Sequence, residues 1–166
     1  MKQGDDFYGN PLLGDLSGNK DKYKLRILAG KHGMDNVISW VHMLEDETII
    51  SRFGGEELAV TTGMKSEEEG WLIRLVMAMK QADCTGIIVN TGMYLKHIPK
   101  EVISWCEDHD FPLLETPWEI SITELTQEYC CLLYTSHNAE PLRIVYIIAE
   151  NRCSFFLCRC CAKTLL

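Results

Sequence analysis

The sequence predicts an α/β fold, a single three-layer-like domain with a mostly parallel sheet built from βαβ units. Three observations carry that expectation. Short apolar runs end in glycine or proline at 57–61, 86–90 and 112–115. Helical stretches of about 12 to 17 residues separate or follow them, the signature of crossovers between parallel strands. The length, 166 residues, holds one domain with a real core but hardly two.

Taken in order, residues 1–22 are polar, with Gly4, Gly14 and Gly18, and read as a loosely ordered leader around the apolar pair Leu12-Leu13. Leu25 to Ala29 alternates and stops at Gly30, and Val37 to Met43 follows a turn-like stretch, so two strands joined by a short connection are expected. Glu57 to Thr61 is a short strand ended by Gly63. Ser66 and Glu69 have capping-box spacing, in which each side chain bonds a free N–H of the first helical turn. Behind them Trp71, Leu72, Leu75, Val76 and Met79 fall on one helical face. Gly86 to Asn90 reads as a buried strand, Pro99 suits the first turn of a helix, and Val102, Ile103 and Cys106 form that helix's inner stripe. Pro112 to Glu115 is a third short strand cut off by Pro117, and Ile122, Leu125 and Tyr129 begin a last helix.

From Cys131 the periodicity dissolves. The expected division is therefore a leader at 1–22, a domain at 23–130 and a tail at 131–166. "CLLYTS" at 131–136 is what a transposon end used in sequencing libraries encodes, which makes the tail a candidate sequencing or assembly artefact.

The formal charge is −8. Residues 137–166 hold Arg143, Arg152, Arg159 and Lys163 against Glu140 and Glu150, a net of +2, so the remainder carries −10. An acidic body lacks the clustered Lys and Arg that displace counterions from a DNA backbone. No secretory signal opens the chain, and Glu150, Asn151 and Arg152 interrupt the late apolar run, so a cytoplasmic protein without a membrane span is expected. Of eight cysteines, Cys84 and Cys106 read as small apolar core residues. Cys153, Cys158, Cys160 and Cys161 lack the paired C-x2-C spacing of structural zinc sites, and no metal or cofactor is expected.

Neither the P-loop nor the dinucleotide-binding glycine pattern occurs, and Gly54-Gly55 precedes its strand, where phosphate loops do not sit. Thr61-Thr62-Gly63 and Asn90-Thr91-Gly92 each end a strand just ahead of a helical stretch, where open α/β sheets gather ligands. Two readings stand: a shared polar rim of Thr61, Thr62, Asn90 and Thr91 around a crevice, or two ordinary βα turns. His42 alternates with Trp40 on one side of a strand, a packing position as readily as a functional one. Glu45, His42 and Glu115 are the acid or base candidates of the alternative reading, a small α/β enzyme working at that crevice.

Three blocks, "LAGKHGMDNVISWVHMLED", "GGEELAVTTGM" and "GIIVNTGMYLKHIPKEVISWCEDHDFPLLETPWEISITELT", resemble the N-terminal domain of the purine catabolism regulator (PucR) family of bacterial transcription factors. The similarity runs from Tyr23 to Tyr129. Its most specific elements are Trp40-Val41-His42, Gly55-Glu56-Glu57-Leu58 with Thr61-Thr62-Gly63, and Phe111 to Glu115 with Pro117-Trp118. The resemblance implies a regulatory input domain and not a catalyst. It implies a small-molecule effector such as a purine catabolite, and a homodimer is a further expectation. The resemblance maps no effector contacts onto this sequence; the candidate contacts, Trp40, His42, Thr61, Thr62, Gly63, Asn90, Thr91, Gly92 and Glu115, come from the reading of the strands and their ends. In the family, DNA is bound through a C-terminal helix-turn-helix domain. No such domain stands in these residues, so the chain is expected to be a fragment that does not itself touch DNA.

Overall fold

The computed structural model describes residues 11–15 and 20–136. Five strands form one sheet: β1 (Arg26–Ala29), β2 (Trp40–Met43), β3 (Glu57–Thr61), β4 (Gly86–Thr91) and β5 (Leu113–Pro117). The helices are α1 (Lys20–Tyr23), α2 (Trp71–Gln81), α3 (Lys100–Asp108) and α4 (Ile122–Ser136), with 3-10 turns at Lys31–Asp35 and Glu47–Arg52. Strand order is β1-β5-β4-β3-β2, with β1 antiparallel to β5 and the rest parallel.

From β2 to β5 the chain advances one strand at a time, so crossovers of one hand all fall on one face. There α2, α3 and the 3-10 turn after β2 bury Trp71, Leu75, Met79, Ile50, Val102 and Cys106 against Ala59, Ile87, Val89 and Leu113. After β5 the chain crosses to the opposite face, where α4 brings Leu125, Tyr129 and Leu133 onto Val41, Leu58, Val60, Ile88 and Leu114. All six residues of β4 are buried, as the unbroken apolar run of a central parallel strand implies. Cys84 and Cys106 lie in the core, where burial pushes both thiols up to about 12.

The two strands expected on either side of the turn at 32–36 form as β1 and β2, and they stand at opposite edges of the sheet, because β1 has its hydrogen-bonding partner in β5. Three expectations are corrected. The capping box is not made. The helix α2 starts at Trp71 behind Gly70, whose φ of 67° no side-chain cap accompanies, and Ser66 Oγ instead donates to the Tyr94 carbonyl at 2.9 Å. The polar leader contributes to the core, since Leu13 is fully buried and Leu12 bridges Val37. Finally, α4 continues through Cys131 to Ser136 with Leu133 buried, so helical periodicity does not stop at Cys130. The rest of the tail, with Cys153 to Cys161, lies outside the described residues.

The two ends of the domain meet on the α4 face. Lys22 Nζ and Tyr23 Oη both donate to Glu128, the Tyr23 and Tyr129 rings sit edge to face at 6.4 Å, and Thr116 Oγ1 donates to the Tyr23 carbonyl at 2.8 Å. Leu13 lies under the same layer, beside Gly86 of β4. Truncating it leaves a cavity, so Leu13→Ala is expected to cost about 2–5 kcal/mol. Urea unfolding checks this, as a lower midpoint at unchanged slope. A loss below about 0.5 kcal/mol, the level of an ordinary surface substitution, would place Leu13 outside the core.

Candidate functional site

The Thr61-Thr62-Gly63 turn does hold a carboxylate, and the carboxylate is the protein's own. Glu45, two residues beyond β2, accepts from Thr61 Oγ1 at 2.9 Å, from the Thr62 N–H and hydroxyl at 2.6 Å each, and from the Met64 N–H at 3.1 Å. Its main-chain carbonyl takes the Trp71 indole N–H at 3.0 Å, tying the clasp to the start of α2. Gly63 sits at φ 76°, and a Cβ there would lie 2.9 Å from that of Leu95. Only glycine fits such a position without strain. At the other end of β3 the Gly54 and Gly55 N–H groups donate to Glu57 at 3.0 and 3.2 Å. Both glycine-containing turns of this segment are thus filled from within.

Asn90 turns away from the rest of the predicted rim. Along a strand side chains alternate, so Thr61 and Thr91 face α2 and α3, whereas Asn90 faces α4. Thr62, just past the end of β3, shares the Glu45 carboxylate with Thr61. Thr91 Oγ1 donates to Glu115 at 2.8 Å, and Arg26 Nε reaches the other oxygen of Glu115 at 2.9 Å. Asn90 Nδ2 donates to the carbonyls of Thr116 and Pro117 at 3.4 and 3.1 Å. Gly92, at φ 129°, lets Trp118 close over it, since an added Cβ would come within 3.0 Å of the Trp118 Cβ. Around this end Met93, Tyr94 and Trp118 are 56%, 45% and 42% exposed, with the Tyr94 and Trp118 rings edge to face at 5.7 Å. Tyr94 had no signal in the sequence, because an aromatic in a βα loop shows no periodicity.

Trp40 and His42 are half-buried on the α2/α3 face. His42 stacks on Phe53 with centroids 4.3 Å apart and stands 3.7 Å from Glu57. Burial lowers its pKa below the ordinary 6.5 despite that carboxylate. In register His42 aligns through Ala59 and Ile87 with Leu113. Three strand spacings, about 14 Å, therefore separate it from β5, and Glu115 lies two residues further along. His42 and Glu115 are therefore not within reach of one another, and Glu45 is taken up by the Thr61-Thr62 turn. A cleft of about 100 Å³ opens instead where the N-termini of α2 and α3 approach, but Glu68, Glu69 and Glu101 line it and complement both helix dipoles.

Two predictions follow from these contacts. In Glu45→Gln an amide NH2 must face N–H and O–H donors, so a stability loss of about 1–3 kcal/mol is expected in urea unfolding, with the fold intact by circular dichroism. His42 binds its proton less well folded than unfolded, so its contribution is present above pH 6.5 and lost as pH falls below it. His32, raised by its bond to Asp110, acts with the opposite sign, so the comparison must be between proteins. His42→Gln is expected to narrow the drop in thermal midpoint between pH 7.5 and 5.5; an unchanged drop would remove His42 as its source.

Comparison with known proteins identifies the family. The sequence model of the "Purine catabolism regulatory protein-like family" matches residues 17–133. The purine catabolism regulatory protein of Bacillus subtilis (strain 168) is 30% identical over 121 residues, which are 72% of this chain and 23% of that protein. This chain thus spans less than a quarter of that relative's length. Among solved structures, the CBS and DRTGG domains of the regulatory region of Clostridium perfringens pyrophosphatase, complexed with the activator diadenosine tetraphosphate, share the fold. The TM-score is 0.52 at 12% identity, covering 93% of this chain and 67% of that one. Because the family match runs from the start of α1 into α4 and takes in the whole sheet, this chain belongs to the Purine catabolism regulatory protein-like (PucR) family.

Proposed function

We propose that this chain is the regulatory input domain of a transcriptional regulator of purine or nitrogen-compound catabolism, responding to a small-molecule effector and not catalysing a reaction. The observation that supports it is the way the polar groups at the carboxyl ends of the strands are used. Glu45 and Glu115 are occupied by Thr61, Thr62, Thr91 and Arg26, and His42 is packed on Phe53 three strand spacings from Glu115 of β5. Such groups fix loops; general acid–base chemistry needs one of them within hydrogen-bond reach of a reacting atom. No group of three or more His, Cys, Asp or Glu stands ready for a metal ion among the described residues. Among them, too, no helix is long and apolar enough to cross a membrane. DNA contact in this reading belongs to a helix-turn-helix domain elsewhere in the regulator, since the acidic body repels a phosphate backbone.

Xanthine, urate and allantoin are the compounds to test against the folded chain, by calorimetry and thermal shift. At least one is expected to bind, to raise the melting temperature by several degrees at a hundredfold excess over Kd, and to be recovered unchanged. Turnover of the compound would overturn the reading in favour of an enzyme. Binding of none, with sedimentation showing a dimer, would overturn sensing in favour of a dimerisation module.

A further inference from the structure

Two buried side-chain polar atoms lack a hydrogen-bond partner among the described residues: Asn90 Oδ1 and Tyr129 Oη. They belong to the same layer. Asn90 alternates with Ile88 along β4 and so points towards α4, while Tyr129 comes down from α4 onto the cluster that contains Ile88 and Leu114. The amide orientation of Asn90 is set by its nitrogen, which has two carbonyl acceptors, so the oxygen is the end left over. Both residues are 1% exposed. A buried polar atom without a partner is destabilising, and an apolar residue of similar size would remove the penalty in either place. The other polar groups of the layer are paired, Thr116 with the Tyr23 carbonyl and Tyr23 with Glu128, so these two atoms break the local packing rule where binding sites most often break it.

Their position fits a site. The connection after β4 leads to α3 on one face and the connection after β5 to α4 on the other, and where neighbouring connections part, an open α/β sheet forms its crevice. Asn90 and Thr116 are paired in register at that point. The exposed Tyr94–Trp118 pair stands beside it, held by the Trp118 N–H to the Thr91 carbonyl at 2.8 Å.

We propose that the layer between β4 and α4 binds a small planar heterocycle that carries both a ring N–H and a carbonyl or ring-nitrogen acceptor, entering at the β4/β5 crevice past Trp118. The N–H satisfies Asn90 Oδ1 and the acceptor takes the Tyr129 hydroxyl proton. Lactam and cyclic ureide rings carry both groups, whereas a sugar, an aliphatic acid or a phosphate lacks the planar N–H. This site rests on the effector-sensing reading above and adds to it a location and a ligand chemistry. Because Tyr129 rides on α4, occupancy couples the ligand directly to that helix.

The test uses the full chain with whichever of xanthine, urate and allantoin binds most tightly, titrated into wild type, Tyr129→Phe and Asn90→Leu. Tyr129→Phe is expected to melt at or above the wild-type temperature without ligand and to bind about tenfold more weakly, the loss of one hydrogen bond. Asn90→Leu, if folded, is expected to lose at least as much. Unchanged affinity in Tyr129→Phe would overturn the site while leaving the sensing reading intact, because the ligand would then sit elsewhere. A melting temperature several degrees lower for ligand-free Tyr129→Phe would also overturn it, showing the hydroxyl already satisfied by buried water. Failure of all three compounds to bind wild type would overturn the sensing reading itself.

Discussion

The strand β4 has no wet side. Every residue from Gly86 to Thr91 is buried, so the strand needs a partner on each edge and a helical layer on each face. The sheet order supplies the first requirement with β3 and β5, and the two crossover helices supply half of the second. The other face is closed by elements that flank the crossovers, residues 11–15, α1 and α4. In such a setting each polar group on β4 must find a partner inside the protein. Thr91 finds Glu115; the Asn90 nitrogen finds two carbonyls, and its oxygen finds no partner among the described residues.

The same economy governs the turns around β3. Free N–H groups at glycine-containing turns attract negative charge, and an acidic chain has glutamates close at hand to provide it. Glu57 closes the turn before the strand and Glu45 the turn after it. Asp46 extends the pattern: Lys65 and the Thr48 N–H hold its carboxyl well below the usual range while it caps the 3-10 turn after β2. Glu45, Asp46 and Glu57 are in this way structural anchors of the loops that flank β2 and β3.

Much of this was legible in the sequence. The strands β3, β4 and β5 and the inner stripes of α2 and α3 follow from periodicity alone, because each is decided within a window of ten residues. The features misplaced or left open depend on distant partners. Nothing local at Leu25–Ala29 says that β1 pairs with β5, some ninety residues on, and not with its neighbour β2. Ser66 has capping-box spacing, but Gly70 interposes a left-handed residue that starts the helix later and releases Ser66 to the Tyr94 carbonyl. Leu13 sits among polar residues, so its burial under α4 has no compositional signal. Thr61 and Asn90 were recognisable as strand-end polar residues; that they face opposite sides of the sheet depends on a register counted from the middle of each strand.

The stapling of Lys22 and Tyr23 to Glu128 and Tyr129 brings the first and last helices of the domain side by side. A domain closed in this way is topologically close to a ring. Its order along the chain could be permuted by joining α4 to the chain ahead of Leu12, which keeps Leu13 in the core, and reopening the chain at Gly54, where an added side chain would meet nothing within 4 Å. The reopened protein would keep its sheet, since no strand is cut, while a partner fused at the new ends would sit at the entry to β3 and not at the end of α4.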